Sequence, residues 1–169
     1  MNYFQLFSLS TDFSIDKQQL ANTYRELQKQ FHPDKSVMLS DAERLTAMQK
    51  STEINDAYQT LKNSCLRAQY LLSLWGLDIE LEQRTLQDTD FLMQQMAWRE
   101  TIESFTEDDE DDIESFSANI QKQVDDLESN IEKQLKAKAL EDTANSVRKL
   151  KFMLKLQTEL EQLEEKLFD

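Results

Sequence analysis

Residues 113–135 read IESFSANIQKQVDDLESNIEKQL, and their apolar positions decide the fold class. Ile113, Phe116, Ile120, Val124, Leu127, Ile131 and Leu135 follow one another in unbroken steps of three and four. That spacing keeps one face of a helix apolar throughout, as a bundle or coiled-coil seam requires. Periodic segments at about 85–105 and 139–167 flank the seam, and together the three predict a helical bundle over residues 85–169. The acidic run at 107–112 falls at the start of the middle helix, where negative charge meets the positive end of the helix dipole. A solvated first turn and an acidic docking site both fit that run.

Composition extends the helical reading to the whole chain of 169 residues. It has one Gly, one Pro and one Cys. Gly and Pro make the turns that strands need, and almost none are available. The abundant Leu, Gln, Glu, Lys and Met are good helix formers. The fold class is therefore all-α. Cys65 has no second thiol for a disulfide, and with one His in the chain a metal cluster is not expected. Both counts suit a reducing, cytoplasmic compartment. No apolar run approaches the roughly 20 residues that span a bilayer, and the N-terminus shows no signal pattern.

Charge divides the chain in two. Residues 1–75 carry eight basic and eight acidic side chains. Residues 76–169 carry 11 basic and 25 acidic ones, which accounts for the entire net charge of −14. The boundary falls at Gly76, so we expect a domain over 1–75, a linker over 76–84 and the bundle over 85–169. The acidic second half argues against nucleic acid and anionic membrane as partners.

In the first part, residues 2–9 form a short helix or buried cap. Ser14 is the expected N-cap of a helix running to about Phe31, with Leu20, Tyr24, Leu27 and Phe31 on one face. Arg25 and Lys29 lie four apart on another, exposed face. Pro33 ends that helix. A polar loop runs to Ser40, a second expected N-cap. The next helix covers about 41–62, with Leu45, Met48, Ile54, Ala57, Tyr58 and Leu61 inward, and a shorter one covers about 66–75. The two longer helices should pack as an antiparallel hairpin. His32, Pro33 and Asp34 lie in the loop between them. A lone His there can be a simple helix C-cap. No nucleophile, glycine-rich phosphate loop or paired-acid pattern accompanies it, so no catalytic site is expected.

With the flanking segments YRELQKQFHPDK at 24–35 and INDAYQTL at 54–61, residues 1–75 resemble a J-domain. That resemblance implies docking on a DnaK-type ATPase and acceleration of its ATP hydrolysis. Arg25 and Lys29 would steer the encounter, Asp34 would pair with a partner arginine, and His32 and Pro33 would shape the loop. General J-proteins carry a Gly/Phe-rich linker or a Cys-rich zinc module next. One Gly and one Cys allow neither.

The helix at 85–105 carries two apolar stripes. Phe91, Trp98, Ile102 and Phe105 fall within about 60° of one another. Leu92, Met93 and Met96 point to nearly the opposite side, with Glu100 beside them. In the last helix, Leu140, Val147, Leu150 and Leu154 lie on one face and Phe152, Leu156, Leu160, Leu163 and Leu167 on the other. A second stripe suggests either a docking surface or packing on the first domain or the linker.

The whole chain is similar to the HscB family, J-proteins dedicated to iron–sulfur cluster assembly. The resemblance rests on NYFQLF at 2–7, RAQYLL at 67–72, DTDFLMQQM at 88–96, RKLKFMLKL at 148–156 and EQLEEKL at 161–167. It implies that the bundle binds the cluster scaffold IscU through Leu92, Met93, Met96, Glu100 and Phe152, and presents it to the chaperone HscA. Ala97 stands where the family is often acidic, which bears on one polar contact. No cofactor and no resident metal are implied, because the chain lacks thiolates to hold them. A bacterial cytoplasmic monomer is expected, with self-association through the apolar stripe left open. The alternative reading is a general J-protein that delivers unfolded clients.

Overall fold

The computed structural model describes residues 1–31, 40–79 and 88–169. Their regular structure is all helix, with no strand among them. They divide into two units, Met1–Leu77 and Asp78–Asp169. Residues 80–84 of the expected linker, and 85–87 of the helix expected from 85, lie outside the described residues.

In the first unit, helix α1 is Tyr3–Leu6. Asn2 and Gln5 cap it reciprocally, each side chain accepting the other's backbone N–H at 2.9 and 2.8 Å. Helix α2 is Lys17–Phe31. Its start corrects the expected Ser14 cap. Asp16 Oδ1 accepts from the Gln18 and Gln19 N–H groups at 3.0 and 3.1 Å, and a carboxylate there also meets the helix dipole. Helix α3 is Asp41–Lys62, and Ser40 caps it as expected, accepting from Glu43 N–H at 3.3 Å. Helix α4 is Ser64–Leu74.

Helices α2 and α3 pack through Tyr24, whose ring stacks on Tyr58 at 3.9 Å and whose hydroxyl donates to Asn55 at 3.0 Å. Phe4, Phe7, Leu20, Ile54, Leu61 and Leu71 fill the core. Leu45 and Met48, expected inward, are each 57% exposed. The reason is length: α3 has 22 residues against 15 in α2. With Tyr24 level with Asn55 and Tyr58, the antiparallel α2 ends about where Leu45 and Met48 begin, so it has no side chains left to cover them.

Buried Arg67 on α4 ties the unit together. Its Nε donates to the Phe13 carbonyl and its Nη1 to the Leu61 carbonyl, both at 2.7 Å. Gly76 then ends α4 with φ +91°. Its N–H donates to the Ser73 carbonyl and that of Leu77 to the Leu72 carbonyl, the paired bonds of a Schellman cap.

In the second unit, helix α5 is Thr89–Ser104, α6 is Glu110–Lys136 and α7 is Leu140–Phe168. The seam that decided the fold class is the core of α6: Ile113, Ile120, Val124, Ile131 and Leu135 are buried, and Phe116 and Leu127 half-buried. Glu110, Asp111 and Asp112 of the acidic run form its first turn. Asp109 instead accepts from Thr106 N–H and Oγ1 at 2.8 and 3.1 Å. Helices α6 and α7 run antiparallel, cross-linked by Ser146 to Gln134 at 2.8 Å and Gln157 to Gln121 at 2.7 Å.

The two-face reading of α7 needs a correction. Leu156 and Leu160 are as buried as Val147 and Leu150, and Met153 is buried between them. A helix with one neighbour buries one narrow stripe. Helix α7 has two, α6 and α5, and so buries a wide sector.

Candidate partner-docking surfaces

The first surface lies on α2. Arg25 and Lys29 are exposed and stand one turn apart, Lys29 in the last turn of the helix. The Arg25 guanidinium donates to Asn22 Oδ1, which holds it along its own helix. The loop carrying His32, Pro33 and Asp34 lies outside the described residues.

The second surface lies on α5. Asp88 caps the helix, its Oδ1 accepting from Phe91 N–H at 3.0 Å. The helix buries one side: Trp98 is only 8% exposed, while Phe91, Ile102 and Phe105 are half-buried. Phe105 meets Phe116 of α6 edge-on at 5.5 Å. On the opposite side, Leu92 is 41%, Met93 65% and Met96 66% exposed. Glu100 is exposed on the same side. Three large apolar side chains thus face outward within little more than one helical turn, an exposed apolar patch of the kind that marks interaction sites. Methionine suits such a surface, because its flexible thioether adapts to the shape that docks.

Phe152 stands apart from this stripe. It belongs to α7, is half-buried, and packs edge-on against Phe91 at 5.8 Å and face-on against Trp98 at 6.2 Å. The structure therefore joins Leu92, Met93, Met96 and Glu100 on one helical face and places Phe152 in the seam between α5 and α7.

Two ion pairs frame that seam. Lys149 Nζ lies 2.8 Å from Asp88 Oδ2, and Arg99 Nη1 lies 2.9 Å from Glu159 Oε2. Each pair rises along α5 and α7 in the same direction, so these helices run parallel. Each cation also covers a ring: Lys149 sits 5.4 Å from the Phe91 centroid and Arg99 5.3 Å from that of Phe152. The hydrogen bond from Lys149, with that from Phe91 N–H, holds the Asp88 carboxyl below its ordinary value. No periodicity points to Arg99, Lys149, Asp88 or Glu159 as partners. Each pair joins side chains some sixty residues apart in the chain.

Among the described residues no group of three or more His, Cys, Asp or Glu side chains could hold a metal, and Cys65 is buried. No helix among them is long and apolar enough to cross a membrane.

Known proteins share both surfaces' elements. Residues 2–70 match the family model described as DnaJ domain, and residues 87–161 the one described as HSCB C-terminal oligomerisation domain. A protein of Psychromonas ingrahamii, named Co-chaperone protein HscB homolog, is 69% identical over 169 residues, covering 100% of each chain. A protein of the same name from Aeromonas salmonicida is 47% identical, covering 100% of this chain and 99% of its own. Among solved structures, chaperone HscB from Vibrio cholerae matches with TM-score 0.91 at 40% identity, over 99% of this chain and 100% of that one. Human co-chaperone protein HscB shares the fold, with TM-score 0.86 at 23% identity over 96% and 81% of the two chains.

Proposed function

Because this chain belongs to the HscB family of J-domain co-chaperones, we propose that it brings the iron–sulfur scaffold IscU to the specialised chaperone HscA and couples cluster release to ATP hydrolysis. The coarser role follows from the family itself: a co-chaperone that works with a DnaK-type chaperone and is not an enzyme. The first unit engages HscA. Arg25 and Lys29 raise the encounter rate, as exposed charges do. Asp34 takes a partner arginine in a charge-assisted bond, with His32 and Pro33 shaping the loop.

The second unit holds IscU on the α5 face, through Leu92, Met93, Met96 and Glu100, with Phe152 at its edge. The observation that carries this reading is the outward stripe of Leu92, Met93 and Met96, 41–66% exposed on a helix that already buries its opposite side. The protein acts in the cytoplasm, as a monomer, with one scaffold per bundle.

The test is the ATPase rate of HscA alone, with this chain, with IscU and with both. The two together should exceed either one, and Asp34→Asn should abolish the contribution of this chain. Full stimulation by Asp34→Asn refutes the chaperone-docking role. Leu92→Ala combined with Met93→Ala and Phe152→Ala should weaken IscU binding by about 3 kcal/mol in total. Unchanged affinity by calorimetry refutes the scaffold-binding role.

A further inference from the structure

Arg99 sits where the two stripes of α5 meet. Counted around the helix, it lies about 80° from Phe91 on the buried side and about 20° from Leu92 on the exposed side. Its guanidinium covers Phe152 at 5.3 Å while its Nη1 is tied to Glu159 at 2.9 Å. Phe152 reaches this border from α7, backed by Phe91 and Trp98. Arg99 and Glu159 are both partly solvated, with side chains 42% and 33% exposed, so the pair itself contributes little to stability.

Its geometry does something else. A planar guanidinium can stack on a ring and hold a carboxylate at once, which an ammonium cannot. We infer that Arg99 is a positioning residue for the scaffold-docking face: anchored by Glu159, it fixes the Phe152 ring at the edge of the Leu92–Met96 stripe before a partner arrives. Fixing that ring in advance removes an ordering cost that docking otherwise carries. The inference rests on the reading that this α5 face binds IscU.

The experiment is calorimetry of IscU binding to the full chain and to Arg99→Met, Phe152→Ala and their combination. Methionine keeps apolar volume along the seam and removes the planar cation. Arg99→Met should weaken binding about fivefold with only a small drop in melting temperature. In the Phe152→Ala background the same substitution should have no further effect. Arg99→Lys should recover only part of the loss, since it restores a charge opposite Glu159 but no stacking plane. In the free protein, the Phe152 ring resonances should shift in Arg99→Met and stay in place in Leu92→Ala.

A loss that persists undiminished in the Phe152→Ala background overturns the inference, because Arg99 then acts without the ring. Unshifted Phe152 resonances overturn it too. If Leu92→Ala with Met93→Ala weakens binding while Arg99→Met does not, the positioning role falls and the docking face stands. If neither weakens it, both fall.

Discussion

Each unit of this molecule places an arginine over a phenylalanine, and the two clasps differ in what surrounds them. Arg67 covers Phe13 at 4.8 Å in the first unit and is 5% exposed. Arg99 covers Phe152 at 5.3 Å in the second, with its side chain 42% exposed. Arg67 donates to two backbone carbonyls, so it belongs to the core and fixes the segment before α2 against the end of α3. Arg99 donates to a side-chain carboxylate beside an exposed apolar face. The same chemical pair stabilises strongly where water is excluded and contributes little to stability where water remains.

Breaking the two clasps alike separates these roles. Arg67→Met leaves the Phe13 and Leu61 carbonyls without their buried donor, at about 1–3 kcal/mol for each orphaned acceptor. The first unit should lose about 3 kcal/mol of stability. Arg99→Met should cost under about 1 kcal/mol. Chemical denaturation, followed by amide exchange in α3 and α4 for one variant and α6 and α7 for the other, measures both. Equal losses end the distinction.

A smaller effect compares the helix ends of the two units. Gly76 closes α4 at φ +91° and Lys138 follows α6 at φ 55°, each with the paired hydrogen bonds of a Schellman cap. Glycine is at ease in this region and a side chain is not. Gly76→Ala should therefore destabilise the first unit by about 1 kcal/mol, although open space surrounds the added methyl group. Lys138→Gly should stabilise the second by about 0.5–1 kcal/mol. Midpoints from denaturation give both signs. A destabilised Lys138→Gly shows that the lysine side chain does more than tolerate its backbone.

What the sequence reveals and conceals follows from distance along the chain. The α6 seam, the Ser40 cap and the two stripes of α5 are legible because neighbours within two turns determine them. Leu45 and Met48 mislead because their spacing predicts a face but not where α2 stops covering it. Leu156 and Leu160 mislead because a stripe drawn for one neighbour fails on a helix with two. Ser14 lost to Asp16, two residues on, since both are good caps and only the chain's path chooses. The clasps of Arg67 and Arg99 depend on side-chain tips meeting across the fold, and composition and periodicity carry no trace of such meetings. For the proposed docking face, periodicity singled out Leu92, Met93, Met96 and Glu100, while Arg99, which borders it, looks like any solvated cation.

The smallest effect tests the other end of the α5–α7 seam. Asp16 and Asp88 both cap helices, but only Asp88 also pairs with a lysine across its unit, Lys149 at 2.8 Å. The Lys149 bond, then the Phe91 N–H, lowers the Asp88 pKa from its ordinary 3.8. A carboxyl whose folded pKa is depressed stabilises above its unfolded pKa and loses that contribution as pH falls through the folded value. The stabilisation by Asp88 should thus be complete at neutral pH and fade below about pH 4. Asp88→Asn keeps a capping oxygen and removes the charge. The gap in melting temperature between wild type and Asp88→Asn should be open at pH 7 and close toward about pH 3. Salt should narrow the gap at pH 7, because both partners are about one-third exposed. A gap that stays the same at both pH values means that capping by Asp88, not its pairing with Lys149, holds the first turn of α5 against α7.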